Sequence, residues 1–532
     1  MEKRKYSYLM PIWFSLVLIT GVLTGIFITH RNGNLLLQGS SAGKLNEVIR
    51  YVEQNYVDTI SRMALEEKSI TGMLQKLDPH SGYIPASEFA QVNDPLLGSF
   101  EGIGVQFRIE NDTITVITPI AGGPSEKVGI KAGDRIVRID GEPVSGKKLT
   151  NNDVMRKLKG PKGTEVEVMI FRRGEPDLLS FTIIRDVIPT YSLDIAYMVS
   201  PGIGYIRLNN FSATTTEEFH EALGNLLSSG MEKLIVDLQG NTGGYLEAAV
   251  DVANEFLKKD QLIVYTEGMH HPKEVYTADG KGLFKTGEVV ILIDEWSASA
   301  AEILAGAIQD NDRGTIVGRR SFGKGLVQGQ LHFKDGSAVR LTVAKYFTPT
   351  GRCIQRPYDQ GNDEYNTEYY HRVMNGELEH SDSIRIADSL KFMTPGGKVV
   401  YGGGGIIPDV FVPLERNDQF KYYSSLLNKG LIYKYAFDYT DRHRKELEKL
   451  TTYEEFDRSF QVSGEMFEEM IRFAETKGAP RDQDDHTLSD ARVKTMIKAY
   501  IGRNILDNEA FFPFVNSIDP VFLKGIEVIG KK

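Results

Sequence analysis

The 532-residue chain holds a single cysteine, Cys353, which excludes an internal disulfide and any cysteine-rich zinc module. Its ten histidines include no His-Glu-x-x-His pair. His270 and His271, read on a strand, would point to opposite sides. No metal site is therefore read, and no cofactor is expected. Positive charge is not in excess either: the net charge of −10 gives no support to a nucleic-acid partner. No internal repeat stands out. What remains is an ordinary globular composition, 41% hydrophobic and 25% charged, over a length that calls for more than one domain.

One long apolar run is present. Lys3-Arg4-Lys5 precedes an uncharged stretch from Tyr6 to Thr29, long enough to cross a hydrocarbon core that needs about 20 apolar residues. Its exit, Ile28-Thr29-His30-Arg31, is a poor cleavage site. Residues 1–31 are read as a cytoplasmic tip and an uncleaved anchor, with membrane contact through residues 6–29. The basic cluster ahead of the span leaves the rest of the chain outside the cytoplasm, on the periplasmic side of an inner membrane.

After a polar stretch around Gly33–Gly43, residues 44–97 read as mainly helical, with Leu45, Val48, Ile49 and Val52 at helical spacing. Residues 98–186 form a unit of short strands, among them Ile114–Ile117, Val166–Phe171 and Phe181–Ile184, with a short helix at Asn152–Lys159. From 187 to 415 strands alternate with helices, the sign of an α/β core. The strands expected there are Ile203–Leu208, Leu234–Leu238, Leu262–Tyr265, Val289–Asp294, Thr315–Gly318 and Ala338–Tyr346. Val289–Ile293 is continuously apolar and so buried on both faces. Residues 355–400 read as a long polar loop or insertion. Residues 416–532, with Val493, Ile497, Tyr500 and Ile501 on one helical face, read as a C-terminal helical domain, a candidate for self-association or for an adaptor.

Three segments carry possible chemistry. Asp237-Leu238-Gln239-Gly240-Asn241-Thr242-Gly243-Gly244 follows a buried strand, and its glycines let backbone N–H groups turn toward a ligand. Ser297-Ala298-Ser299-Ala300-Ala301-Glu302 opens a helix, where a serine could attack a carbonyl; the same Ser-x-x-Glu spacing is also a capping box. Gly318-Arg319-Arg320-Ser321-Phe322-Gly323-Lys324-Gly325 nearly matches a phosphate-binding loop, but Gly325 has no hydroxyl for Mg²⁺, and Leu326–Phe333 looks extended where a helix should follow. A desolvated Lys324 favours its neutral form and could take a proton from serine. Taken singly, these are a turn, a cap and a surface lysine.

In combination they resemble the C-terminal processing peptidases, or tail-specific proteases. The likeness lies in Ser297-Ala298-Ser299-Ala300-x-Glu302, in Phe322-Gly323-Lys324-Gly325-x-x-Gln328 and in the interval from Ser299 to Lys324. Leu77-Asp78-Pro79-His80-Ser81, Thr348-Pro349-x-Gly351-Arg352 and Gly405-Ile406-x-Pro408-Asp409 add to it. Phe100-Glu101-Gly102-Ile103-Gly104-Val105 is similar to the carboxylate-binding loop of PDZ domains, and Gly129–Gly141 looks like a later PDZ segment. The resemblance, which covers roughly residues 44–412, implies an α/β protease core with an inserted-type PDZ domain; with the apolar N-terminal run read as a membrane helix and the C-terminal helices, the chain reads as an α+β multidomain protein. The resemblance implies Ser299 as nucleophile, Lys324 as general base and Gln328 as the residue orienting the lysine. Backbone N–H groups of Gly243 and Ala300 would form the oxyanion hole, and Gly102, Ile103, Gly104 and Val105 would hold the substrate's terminal carboxylate. Glu302 matches a family position as well. One departure stands out: members often carry Arg where this chain has Gln239, and Gly240 precedes the asparagine. The expected partners are protein substrates with unfolded, apolar C-termini. The competing reading is a membrane-tethered PDZ scaffold with an inactive core, for which an intact Ser299, Lys324 and Gln328 has no use. An acyl-transfer enzyme with a similar oxyanion turn would leave the PDZ-like unit unexplained.

Overall fold

A computed structural model describes residues 10–31, 43–120, 122–415, 420–481 and 487–531. The basic cluster Lys3-Arg4-Lys5 and most of the polar stretch after the apolar run lie outside the described residues. Residues 1–74 and 75–532 form two compact units. The first holds the helices Met10–Arg31, Gly43–Asn55 and Arg62–Leu74. Side chains of the helix Met10–Arg31 are described for residues 13–24 and are exposed. Among the described residues no helix is long and apolar enough to cross a membrane.

The second unit is built on a six-stranded sheet in the order Leu193–Ser200, Ile203–Leu208, Lys233–Asp237, Glu288–Ile293, Thr315–Gly318, Val410–Phe411. The first pair is antiparallel and all others are parallel. The two-residue period of a strand divides its apolar residues between two cores. Ile291 and Ile293 join Leu234, Val236 and Ile316 against Phe219, Val252, Ile303 and Leu304 of the helices Thr215–Ser228, Leu246–Asn254 and Ala300–Asp310. Val290 and Leu292 face the other way, with Ile235 and Val317, onto Val521 and Phe522 of the helix Pro520–Gly530. That two-sided burial is the reason for the unbroken apolar run at Val289–Ile293.

Not every expected strand of the core enters this sheet. Leu262–Gly268, His271–Thr277, Leu326–His332 and Ala338–Phe347 form a separate antiparallel sheet with Gly82–Ile84. Residues 75–97 accordingly include a strand and the helix Ala86–Leu97, not helix alone. The stretch 355–400 is also more ordered than a loop. It carries the helix Asn362–Met374 and a hairpin of Lys391–Met393 with Val399–Tyr401. Its buried Arg372 is satisfied by nearby Glu377 and, from afar, by the carbonyls of Arg320 and Ser321.

The strand-rich unit closes on itself through Val105–Glu110, Thr113–Pro119, Arg135–Ile139, Glu165–Phe171 and Leu179–Ile184, packed around Ile114, Val116, Ile136, Val168 and Ile170 with Val154 of the helix Asn151–Leu158. Its entering strand Ser99–Gly102 pairs antiparallel with its leaving strand Asp186–Pro189, so the unit is inserted on a two-stranded stalk. After residue 420 the described residues are mainly helical, from Lys421–Asn428 to Pro520–Gly530. A second apolar core there joins Tyr435, Phe456, Met470, Ile497 and Ile501.

Candidate active site

The parallel strands end together at one edge of the sheet, and two of the chemical segments follow directly. After Lys233–Asp237 comes the glycine turn; after Glu288–Ile293 comes the loop to Ser299. The two are laced by hydrogen bonds. Asp294 Oδ1 accepts the N–H groups of Gly240, Trp296 and Ser297, each at 3.0 Å. Ser297 Oγ donates to Leu238 O at 2.8 Å, and Ala298 N–H to Asn241 O at 2.9 Å.

Ser299 caps the helix Ala300–Asp310 with φ 54° and ψ −114°. A non-glycine residue there costs on the order of 1–3 kcal/mol and persists only when its surroundings hold it. Two contacts do so: Glu302 Oε2 accepts the Ser299 N–H at 2.8 Å, and Tyr346 Oη–H donates to Ser299 O at 3.1 Å. Cap and nucleophile are therefore compatible readings of one residue, since the return bond uses its N–H. Gly243 (φ 98°) packs directly against it. A Cβ at Gly243 would lie 2.7 Å from Ser299 Cβ and 2.9 Å from Ala300 N. The Ala300 N–H stands in the first turn of its helix, where no intrahelical acceptor exists. The Gly243 N–H donates to Asn241 Oδ1 at 2.9 Å.

Lys324 arrives on the third segment, which is a loop running into the strand Leu326–His332, not a loop–helix phosphate cradle. Its amine donates to Gln328 Oε1 at 3.4 Å, and Gln328 Nε2 donates onward to His80 O at 2.7 Å. Burial lowers the Lys324 pKa and the Arg340 charge lowers it further, against opposing pulls from Glu302 and Asp78. Gly243, Ser299, Ala300, Lys324, Gln328 and Arg340 line one cleft of about 800 Å³. Among the described residues no hydrogen bond joins Ser299 Oγ to Lys324 Nζ.

Three groups support this site; the sequence offered Glu302 as a helix cap and a family position, not as the acceptor that joins the two loops. Glu302, fully buried, accepts hydrogen bonds from Ser321 Oγ and from the N–H groups of Gly323 (2.7 Å), Lys324 (2.9 Å) and Ser299 (2.8 Å). Burial raises its carboxyl pKa while those donors oppose the rise. Tyr346 Oη–H also donates to Lys324 O at 2.8 Å. His80, held by Asp78 through its N–H and by Tyr365 Oη at its Nε2, is kept neutral: burial, then the Lys324 charge, lowers its pKa to about 4. The Asp-Pro-His-Ser motif was the available signal for His80. Tyr346 had none.

At the strand-rich unit, Gly102, Ile103 and Gly104 are buried and lead into the strand from Val105. Ile103 O accepts from Ser125 N–H and Oγ–H, and Gly104 O from Ile120 N–H. The N–H groups of Ile103 and Gly104 donate to nothing among the described residues.

This architecture is that of a serine peptidase core carrying a PDZ domain. Residues 202–360 match peptidase family S41, residues 102–183 a PDZ domain, and residues 422–507 a family of unknown function. The carboxy-terminal processing protease CtpA of Bacillus subtilis is 35% identical over 352 residues, covering 64% of this chain and 74% of the relative. The carboxy-terminal-processing protease of Bartonella bacilliformis is 37% identical over 318 residues, covering 59% and 72%. Among solved structures, a photosystem II D1 C-terminal processing protease is 28% identical, covers 69% of this chain and 92% of that one, and has a TM-score of 0.36. The chain belongs to the carboxy-terminal processing serine proteases.

Proposed function

We propose that the protein is a membrane-anchored endopeptidase that cleaves proteins near their C-terminal tails with a Ser299–Lys324 dyad. The observation that carries this reading is the meeting of Ser299, Lys324, Gly243 and Ala300 in one cleft, with the lysine biased toward its neutral form. An unfolded tail adds to the strand Val105–Glu110, its carboxylate on the free N–H groups of Ile103 and Gly104. The segment upstream of it enters the cleft.

Substrate entry brings the Lys324 amine, still oriented by Gln328, up to Ser299 Oγ, since such contacts tighten in the substrate complex. The neutral amine takes the Ser299 Oγ proton as Oγ bonds to the carbonyl carbon. The oxyanion accepts from the Ala300 N–H and from the Gly243 N–H, which turns from Asn241 Oδ1. Lys324 returns the proton to the leaving amine. A water gives its proton to the same lysine as it bonds to the acyl carbon, and Lys324 passes that proton to Ser299 Oγ as the C–Oγ bond breaks, freeing the new carboxyl end. Gln328, fixed by the His80 carbonyl, keeps the amine from rotating away. The anchor rests on the apolar run Tyr6–Thr29 with basic residues before it, which puts the cleft on the periplasmic side.

The test is cleavage of an unfolded reporter with an apolar C-terminus, comparing the wild type with Ser299→Ala and Lys324→Ala. Both variants lose activity, and a serine-acylating reagent labels the wild type at Ser299. Equal activity in all three removes the mechanism. Absence of labelling leaves the PDZ scaffold as the better description.

A further inference from the structure

The C-terminal helical region reaches the glycine turn. Asp519 caps the helix Pro520–Gly530 by accepting the Val521 N–H at 2.9 Å, and its second oxygen accepts Gln239 Nε2–H at 2.7 Å. Gln239 lies four residues before Gly243. Its own peptide is gripped on the sheet side: its N–H donates to Asp237 Oδ1 at 2.8 Å, and its carbonyl accepts from Arg207 Nη2 at 2.9 Å. Arg207 is ion-paired to the buried Asp237 and lies over the ring of Phe512 at 5.3 Å. From Gly240 onward the turn is laced to the serine loop through Asp294 and Asn241.

Asp519 is not offered from a mobile loop. The helix it caps is seated on the sheet by Val521 and Phe522, and the approach is pinned by Asn508 Nδ2 to Asp194 O and Asn516 Nδ2 to Tyr197 Oη, each at 3.0 Å. The neutral amide of Gln239 answers a carboxylate supplied by the chain's own C-terminal region.

We propose that Gln239 and Asp519 are a positioning pair through which the C-terminal helical region fixes the oxyanion turn. This rests on the reading of Gly243 and Ala300 as oxyanion donors. The pair touches no substrate and acts through the turn. Loosening it misaligns donors that act in the transition state, so kcat falls and KM does not. The link also gives residues beyond the S41 match a task in the reaction.

The experiment uses the full chain on the apolar-tailed reporter with Gln239→Leu, Gln239→Arg, Asp519→Asn and Asp519→Ala. Gln239→Leu leaves the Asp519 cap intact and is the primary variant. Its kcat falls about tenfold with KM within about twofold. Gln239→Arg keeps a donor facing the carboxylate, and Asp519→Asn keeps the helix cap with its oxygen while its amide donates to Gln239 Oε1 once that side chain turns over; both hold kcat within about threefold of wild type. Asp519→Ala also loses the helix cap, so its Tm is followed; the double variant Gln239→Leu/Asp519→Ala shows a kcat loss smaller than the product of the single losses. Wild-type kcat in Gln239→Leu, or a Gln239→Arg as slow as Gln239→Leu, overturns the pairing. Lower Tm with unchanged kcat assigns a structural role only and overturns it too. Labelling of Ser299 separates the two readings. A wild type that acylates normally while the variants are unaffected refutes the pair alone, whereas an unlabelled wild type refutes the catalytic reading and the pair with it.

Discussion

Glu302 accepts the backbone N–H of Lys324 at 2.9 Å, with the same oxygen that accepts the Ser299 N–H. One buried carboxylate thus sets the spacing between the helix that begins after Ser299 and the loop that carries Lys324. Glu302→Gln keeps the shape but turns an amide –NH₂ toward at least one of these N–H groups. A buried donor left without an acceptor costs about 1–3 kcal/mol. Activity on the reporter is expected to fall at least about tenfold, with slower acylation of Ser299 and a lower Tm. Unchanged acylation kinetics would show that the two loops hold their spacing without it.

The pH dependence follows from Lys324. Its pKa is lowered by burial first and by Arg340 second, while Glu302 and Asp78 pull it up and His80 is neutral above about pH 4. Activity rises with pH as the amine loses its proton, on a limb displaced below an ordinary lysine. Arg340→Gln removes a positive neighbour, so the limb moves to higher pH; Gln328→Glu adds a negative one and moves it the same way. Stability has a matching sign. A depressed lysine pKa means that the unfolded chain binds more protons between the folded pKa and the ordinary one, so this group's contribution rises with pH in that window. A kcat/KM profile identical in wild type and Arg340→Gln would rule out the lysine as the titrating base.

Gly243→Ala is expected to abolish acylation while leaving the cleft otherwise formed. The new Cβ would stand 2.7 Å from Ser299 Cβ on a backbone at φ 98°, so either the serine or the turn must move. Losing one oxyanion donor typically costs about 10²–10³ in kcat. Steady-state kinetics with KM as the control would show this as a kcat effect.

Amidating the reporter's C-terminus tests the PDZ loop without altering the enzyme. Hydrogen bonds to a charged group are worth about 1.5–3 kcal/mol, which corresponds to a loss of roughly 10–100-fold in kcat/KM, carried by KM. Equal cleavage of acid and amide tails would leave the N–H groups of Ile103 and Gly104 without the proposed ligand.

In the PDZ domain the C-terminal helices also grip the strand Val105–Glu110. Arg108 stacks over Tyr433 at 4.5 Å, and Lys434 pairs with Glu110 at 2.5 Å. Lys434→Glu places two carboxylates together and is expected to loosen this contact. The readout is faster hydrogen exchange in the helix Leu431–Leu447 and in Val105–Glu110, with the strands around Ile291 unchanged.

Much of the core was readable because apolar residues repeat with the period of their element. Ile203–Leu208, Glu288–Ile293 and Thr315–Gly318 fall where alternation or continuous burial put them. The division into two sheets was not readable. Ala338–Phe347 is a strand in either arrangement, and its partnership with Gly82–Ile84 joins segments some 250 residues apart. The helix Asn362–Met374 was hidden for a related reason: its Arg372 and Tyr365 look solvent-bound until Glu377, the carbonyls of Arg320 and Ser321, and His80 meet them.

Sequence alone determined the chemical vocabulary of this protein: a serine at a helix start, a lysine among glycines, a glycine turn after a buried strand, and a carboxylate-type loop in a strand-rich insert. These are local because backbone conformation and side-chain chemistry are local. Tertiary structure decided which groups stand together. Glu302 ties Ser299 to Lys324, His80 turns Gln328 toward the amine, and Asp519 reaches Gln239 from the far end of the chain. Each is a hydrogen bond between a buried or partly buried polar group and a partner distant in sequence, and only packing of the whole fold brings such partners within 3 Å.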